Sequence, residues 1–161
     1  MSTAITHTDT VRPEWVDYNG HMNEAFYVVV FSHATDAVLA ALDLGPAYRE
    51  RTACSIYTVE AHVRYLREVA EGAALTVTSH VTGVDRKRLH ICHSMAAGGE
   101  EIATEEVMAL HVDQNAGRTA PFPEDVAARA RDLATAPPDW AGRAIAPVAS
   151  DAPVSPEQRG G

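Results

Sequence analysis

The sequence predicts a single α+β domain in which one long apolar helix packs against an antiparallel sheet. Three observations carry this. An apolar, Ala-rich stretch of helical length runs from Glu24 to Leu42. From Ser55 onward apolar residues instead alternate with polar ones. The alternating segments are separated by short turns, and short turns join antiparallel neighbours. One sheet and one apolar helix can bury each other's apolar faces as two layers.

Residues 1–10 are polar and Thr-rich, and a first short strand is expected near Val11–Val16. Asp17–Asn23 is rich in turn formers. Asn23 then suits an N-cap, and Glu24 suits the positive end of a helix dipole. The β-branched run Val28-Val29-Val30 favours a strand, but the length of the apolar stretch decides for a helix. Its apolar residues run nearly all round, as in a helix wrapped by other structure. Gly45-Pro46 is read as its stop.

Tyr57, Val59, Ala61, Val63 and Tyr65 alternate with polar residues, which predicts a strand with one buried face. Leu75, Val77 and Val81 mark a second such strand, Leu89–Ala97 a third and Ile102–Val112 a fourth. Glu71-Gly72, Gly83–Lys87 and Gly98-Gly99-Glu100 supply the turns. A short helix is expected over 124–134. The domain is taken as residues 1–136. Residues 137–161 form a tail that holds five of the nine prolines and is read as extended or disordered, with Trp140–Arg143 as a segment able to dock.

The net charge of −9 excludes a nucleic-acid partner and disfavours an anionic membrane. No stretch reaches the roughly 18 uninterrupted apolar residues of a membrane span, and Met1–Ile5 does not open a signal peptide. Cys54 and Cys92 have neither metal nor redox spacing, so a cytoplasmic protein is expected. Arg64, Arg67, Arg86, Lys87 and Arg88 gather five of the 13 cationic residues. They suit either a small anionic ligand or solvated strand ends.

Chemistry is most concentrated at Asp17-Tyr18-Asn19-Gly20-His21-Met22-Asn23. A helix N-terminus offers unpaired N–H groups for a developing oxyanion, Gly20 lets the backbone approach a ligand, and Asp17 places a carboxylate nearby. Such a pair serves acyl transfer. An Asx turn with a helix cap is the plainer reading of the same residues. Leu89-His90-Ile91-Cys92-His93 invites a metal, but His90 and Cys92 face away from His93 in a strand, so no metal and no cofactor are expected. His33 and His111 are isolated in sequence.

Asp17, Gly20-His21-Met22-Asn23 and Tyr27 together resemble the active-site entry of hotdog thioesterases related to 4-hydroxybenzoyl-CoA thioesterase. Tyr65-Leu66-Arg67-Glu68-Val69 with Gly72, and Ile102–Thr104 through Leu110–Asp113, are similar to later strands of that family. The resemblance spans roughly residues 10–135. It implies a helix wrapped by five or six antiparallel strands. It also implies a homodimer or dimer of dimers with active sites between protomers, and an acyl-CoA substrate. Asp17 would be the nucleophile or general base, with backbone N–H groups around His21–Asn23 as the oxyanion hole. Asn23 would orient water or cap the helix, and His21 would be a general acid or structural. Gly20, Met22 and Glu60 would border the substrate, and the five cationic residues would meet the CoA phosphates.

Trp15, Tyr18, Phe26, Tyr27 and Phe31 crowd this segment, although only ten residues of the chain are aromatic. They are either core or an aromatic box for a cationic acyl group. The run Pro13–Glu24 resembles thioesterases of carnitine breakdown, whose implied substrate is betainyl-CoA. The competing readings are a hotdog dehydratase or hydratase and a non-enzymatic acyl-CoA-binding module.

Overall fold

The computed structural model describes residues 4–148. Ile5–Thr10 forms β1, and a 3-10 turn follows at Pro13–Trp15. The helix α1 runs Glu24–Ala41 and a second helix, α2, Pro46–Thr52. Four long strands follow: β2 Cys54–Tyr65, β3 Ala74–Val84, β4 Arg88–Ala97 and β5 Glu100–Asp113. A two-residue strand β6 (Arg118–Thr119) and α3 (Glu124–Leu133) close the domain. The sheet is antiparallel in the order β1-β3-β4-β5-β2, with β6 beside β5. This is the expected α+β arrangement of one helix against an antiparallel sheet.

The inner face of the sheet follows strict alternation. Leu75, Val77, Ser79 and Val81 of β3 and Leu89, Ile91, His93 and Met95 of β4 are all buried. Tyr27, Val30, Phe31, Ala34 and Val38 of α1 are buried as one stripe. The first half of α1 packs with Trp15, Val77 and Met95, and the second half joins a cluster with α2 and α3 through Tyr48, Phe122 and Val126. By length and mean hydropathy α1 is apolar enough to cross a membrane, although Ser32, His33, Thr35 and Asp36 interrupt its apolar run as expected. Its central stripe is nevertheless covered by the domain's own sheet.

Several expectations are corrected. The first strand lies at Ile5–Thr10, not Val11–Val16, where Pro13 opens a 3-10 turn. Gly45-Pro46 ends no helix but starts α2, with Gly45 as N-cap and Pro46 in the first turn. Strand β2 has no fully buried face in the protomer: Tyr57 and Tyr65 are exposed and Val59 is 54% exposed at a bulge. β2 is a sheet edge. Of the tail, residues 149–161 lie outside the described residues. Within the rest, the expected docking of Trp140–Arg143 is seen as a bond from Gly142 N–H to Glu106 Oε2 (2.6 Å).

Two buried histidines anchor the inner face. Thr35 spends its only hydroxyl proton on the Phe31 carbonyl (3.1 Å). The His93 Nε2–H therefore donates to Thr35 Oγ1 (3.0 Å), and Nδ1 accepts from Ser79 Oγ–H (2.7 Å). His111 Nδ1–H donates to the Ala120 carbonyl, and Nε2 accepts from the Tyr48 hydroxyl (2.8 Å). Neither ring is isolated. Full burial pushes His93 down to about 4.

Phe31 is fully buried and stacks on His93 at 5.8 Å between ring centroids. Replacing it with alanine is predicted to cost about 3–5 kcal/mol, measured by denaturant unfolding.

Candidate active site

The loop after the 3-10 turn is closed by its own backbone. Asp17 N–H donates to the His21 carbonyl (3.1 Å), and Gly20 N–H donates to the Asp17 carbonyl (2.9 Å). Gly20 holds φ +82°, a conformation that favours glycine. The Asp17 carboxylate is held at both oxygens: Oδ1 accepts from Asn19 N–H (2.8 Å) and Oδ2 from Asn23 Nδ2–H (3.1 Å). Asn23 Oδ1 in turn accepts from Ala25 N–H (3.0 Å), which makes it the N-cap of α1. One asparagine thus ties the carboxylate to the helix start.

The supply of oxyanion donors is narrower than the sequence suggests. Met22 N–H donates to the Val69 carbonyl and Asn23 N–H to the Trp15 carbonyl (both 2.9 Å). The Ala25 and Phe26 N–H groups are taken by Asn23. Among the described residues, the His21 and Glu24 N–H groups have no such partner.

Asp17, Asn19, His21, Met22 and Glu68 line an open cleft of about 460 Å³. Beside it lies a larger cleft of about 830 Å³ that shares Met22 and Glu68 and also includes Glu24, Tyr27, Tyr65, Arg67 and Glu100. The His21 ring is part exposed, with Nε2 3.8 Å from Glu68 Oε1. Tyr27 is buried. Its hydroxyl donates to the Arg67 carbonyl (3.1 Å), and its ring meets Tyr65 edge-on at 5.2 Å.

The other named residues divide. The aromatic box is not assembled as expected. Trp15 is buried, stacks on Phe26 at 5.4 Å and is covered by Arg12, while Phe31 is core. Tyr18 is 97% exposed. Glu60 pairs with Met108 on the face opposite α1, near His62, His90, Glu106 and Gly142–Ala144, and so away from Asp17. Arg64 pairs with Thr104 on that outer face too. Arg67 borders the larger cleft, paired with Glu100 at 2.9 Å. Arg86, Lys87 and Arg88 surround the β3–β4 turn with Asp85. The 10 residues of β4 separate that turn from Ala97 at the cleft, roughly 30 Å at about 3.3 Å per residue.

His90 and Cys92 share Thr82 on the outer face, opposite His93. His33 is not isolated. It lies 3.8 Å from Asp9 and edge-on to His7, and among the described residues these three bring metal-ligand-type atoms within 4.8 Å of one another. Arg12 approaches the same Asp9 at 3.9 Å.

Glu105 escaped the sequence reading. It stands on β5 between inward-facing Ala103 and Val107, opposite His93, and is 5% exposed. Strand alternation alone marks this position as facing α1. It makes no hydrogen bond or ion pair with a described residue, and burial pushes its carboxyl up to about 7.

Comparison with known proteins places these features in context. The family profile of the thioesterase-like superfamily matches residues 11–130. A betainyl-CoA thioesterase of Pseudomonas aeruginosa is 44% identical over 153 residues, covering 90% of this chain and 96% of that protein. An L-carnitine dehydrogenase/betainyl-CoA thioesterase of Agrobacterium fabrum is 45% identical over 148 residues, covering 88% of this chain and 30% of that protein. A Staphylococcus aureus protein solved in complex with CoA superposes with a TM-score of 0.85 at 30% identity, covering 92% of this chain and 98% of the other.

Two predictions follow from this geometry. Asn23→Ala removes the cap and one restraint on Asp17, and should lower stability by about 1 kcal/mol in denaturant unfolding. Glu105 sets a pH window. The unfolded chain releases this proton near the ordinary value of 4.5, the folded chain only near 7. Between these values the folded state binds the extra proton, so this group makes stability fall as pH rises. Glu105→Gln should remove that loss, up to about 3 kcal/mol above pH 7, read from wild-type and variant unfolding curves across the window. His93 acts oppositely, since its contribution is lost as pH falls from 6.5 toward about 4.

Proposed function

The chain belongs to the thioesterase-like superfamily, and from that premise we propose that it hydrolyses betainyl-CoA to glycine betaine and free CoA. Thioester hydrolysis is the activity of its named relatives. The choice of acyl group rests on likeness to two betainyl-CoA thioesterases across nearly the whole chain. The single observation that carries the catalytic assignment is the Asp17–Asn23–Ala25 chain of hydrogen bonds, which fixes a carboxylate at a helix N-terminus.

In this reading Asp17 either attacks the thioester carbon, giving a mixed anhydride that water then hydrolyses to free the acid and Asp17, or takes a proton from the water that attacks the thioester directly. The CoA thiolate leaves and is protonated by solvent, so an imidazole acid is not required. The His21 and Glu24 N–H groups are the donors left for the thioester oxygen, which becomes anionic as the tetrahedral centre forms. Neither His21 nor Asn23 needs a chemical step of its own. His21 flanks the cleft and Asn23 positions Asp17.

The site is completed by a second copy of the chain. β2 is a 12-residue edge whose exposed side chains include Tyr57, Val59 and Tyr65, and such an edge invites pairing. A homodimer joined antiparallel along β2 carries the partner's β3–β4 turn to the end of the sheet where the larger cleft opens. Arg86, Lys87 and Arg88 then serve the CoA phosphates of the neighbouring site, which explains why they stand far from the cleft of their own protomer. The net charge of −9 argues against nucleic acid as a partner. Two free thiols, Cys54 and Cys92, suit the cytoplasm.

Asp17→Asn preserves the shape of the loop and removes the charge. We expect release of free thiol from betainyl-CoA to fall by at least about 10²-fold, with the fold and oligomer retained. Unchanged turnover in that variant contradicts the assignment.

A further inference from the structure

Building on the betainyl-CoA reading, we propose that Glu105 and Tyr65 form a subsite for a quaternary ammonium group on the acyl chain. The first argument is the position of Glu105. It projects from the inner face of β5, flanked across the strands by Val63 and His93. Tyr65 pairs with Ala103, two residues along the same strand, so Tyr65 and Glu105 are diagonal neighbours on one face. Burial, then the charges of Glu24 and Glu105, hold the Tyr65 hydroxyl above its ordinary range, and its ring borders the larger cleft and meets Tyr27 edge-on.

The second argument is the missing partner. A carboxylate removed from water demands a cation or several hydrogen bonds. Glu105 has neither among the described residues, and at 5% exposure its oxygens keep only slight contact with water. The nearest polar ring, His93, is already committed at both nitrogens to Thr35 and Ser79 and stays neutral above about pH 4. The fold therefore keeps an acid one diagonal step behind Tyr65, which borders the cleft, and gives it no counter-ion among the described residues.

The third argument is the charge of the cleft. Glu24, Glu68 and Glu100 border it against a single guanidinium, Arg67, which is already paired with Glu100. The acidic wall of this cleft suits a cationic acyl group, and the CoA phosphates are left to the β3–β4 turn of the second copy. A quaternary ammonium has no N–H to donate. It is held by charge and by aromatic surface, which Glu105 with Tyr65 and Tyr27 offers. The expected aromatic box is thus replaced by a carboxylate with two tyrosines, none of which belongs to the Trp15-Phe26 stack.

The test compares betainyl-CoA with 3,3-dimethylbutanoyl-CoA, in which a tert-butyl group replaces trimethylammonium at equal size and without charge. Values of kcat/KM are measured for wild type, Glu105→Gln and Glu105→Asp, each checked for folding by circular dichroism. The wild type should prefer the cationic substrate. Glu105→Gln should reduce that preference by at least about tenfold, and Glu105→Asp, which keeps the charge but withdraws it, should fall between. Should Gln leave the preference intact, or lower both substrates equally, the subsite is overturned while the betainyl-CoA reading stands. A wild type that does not discriminate overturns the substrate reading itself, and the subsite with it.

Discussion

The structure depends on keeping α1 out of water. Its 18 residues are apolar on nearly every side, so one sheet face cannot cover it. The protomer's own sheet buries the stripe from Tyr27 to Val38 and leaves Val28 and Val29 more than a third exposed. The same incompleteness shows at β2, a long edge strand with aromatic and β-branched side chains facing solvent. Burial of apolar area is worth roughly 25 cal/mol per Å², and open strand edges pair readily. Both features favour a second copy of the chain in the same place. Helix and edge also frame the Asp17–Asn23 loop, since α1 is capped by Asn23 and β2 ends at Tyr65, either side of the larger cleft.

Around that helix the inner face of the sheet treats its polar groups in two ways. Ser79, Thr35 and His93 satisfy one another completely, and His111 is satisfied by Tyr48 and Ala120. Such networks fix a single packing without leaving a charge behind. Glu105 is different, because it is buried and left unanswered.

Much of this was legible in the sequence, and the gaps have physical causes. The start of α1 could be read because Asn23 and Glu24 are local capping signals that act through backbone N–H groups. The meander could be read because Leu75, Val77, Leu89 and Ile91 alternate against a real core. β1 was missed because Ile5–Thr10 is an edge strand of mostly polar residues, held by ladder bonds to β3 that leave no apolar pattern. α2 was missed because Gly-Pro marks both a stop and a start. The aromatic cluster could not be resolved from spacing: Trp15 and Phe31 point into the core while Tyr18 points to solvent, and only the loop closed by Gly20 decides which. Glu60 shows the same limit. A one-residue bulge at Val59 sets which side chains of β2 face α1, whereas Glu105 was overlooked although alternation with Ala103 and Val107 already places it inward.

The central claim is that one protomer is half of the working unit, and it is tested most directly by following mass and activity together on dilution. Sedimentation equilibrium should give a dimer or a dimer of dimers at micromolar concentration. Thiol release per chain should fall as dilution dissociates that species, and a charged substitution at the β2 edge, Val59→Lys, should shift both curves to higher concentration together. A monomer that sediments alone and keeps full activity per chain contradicts the account.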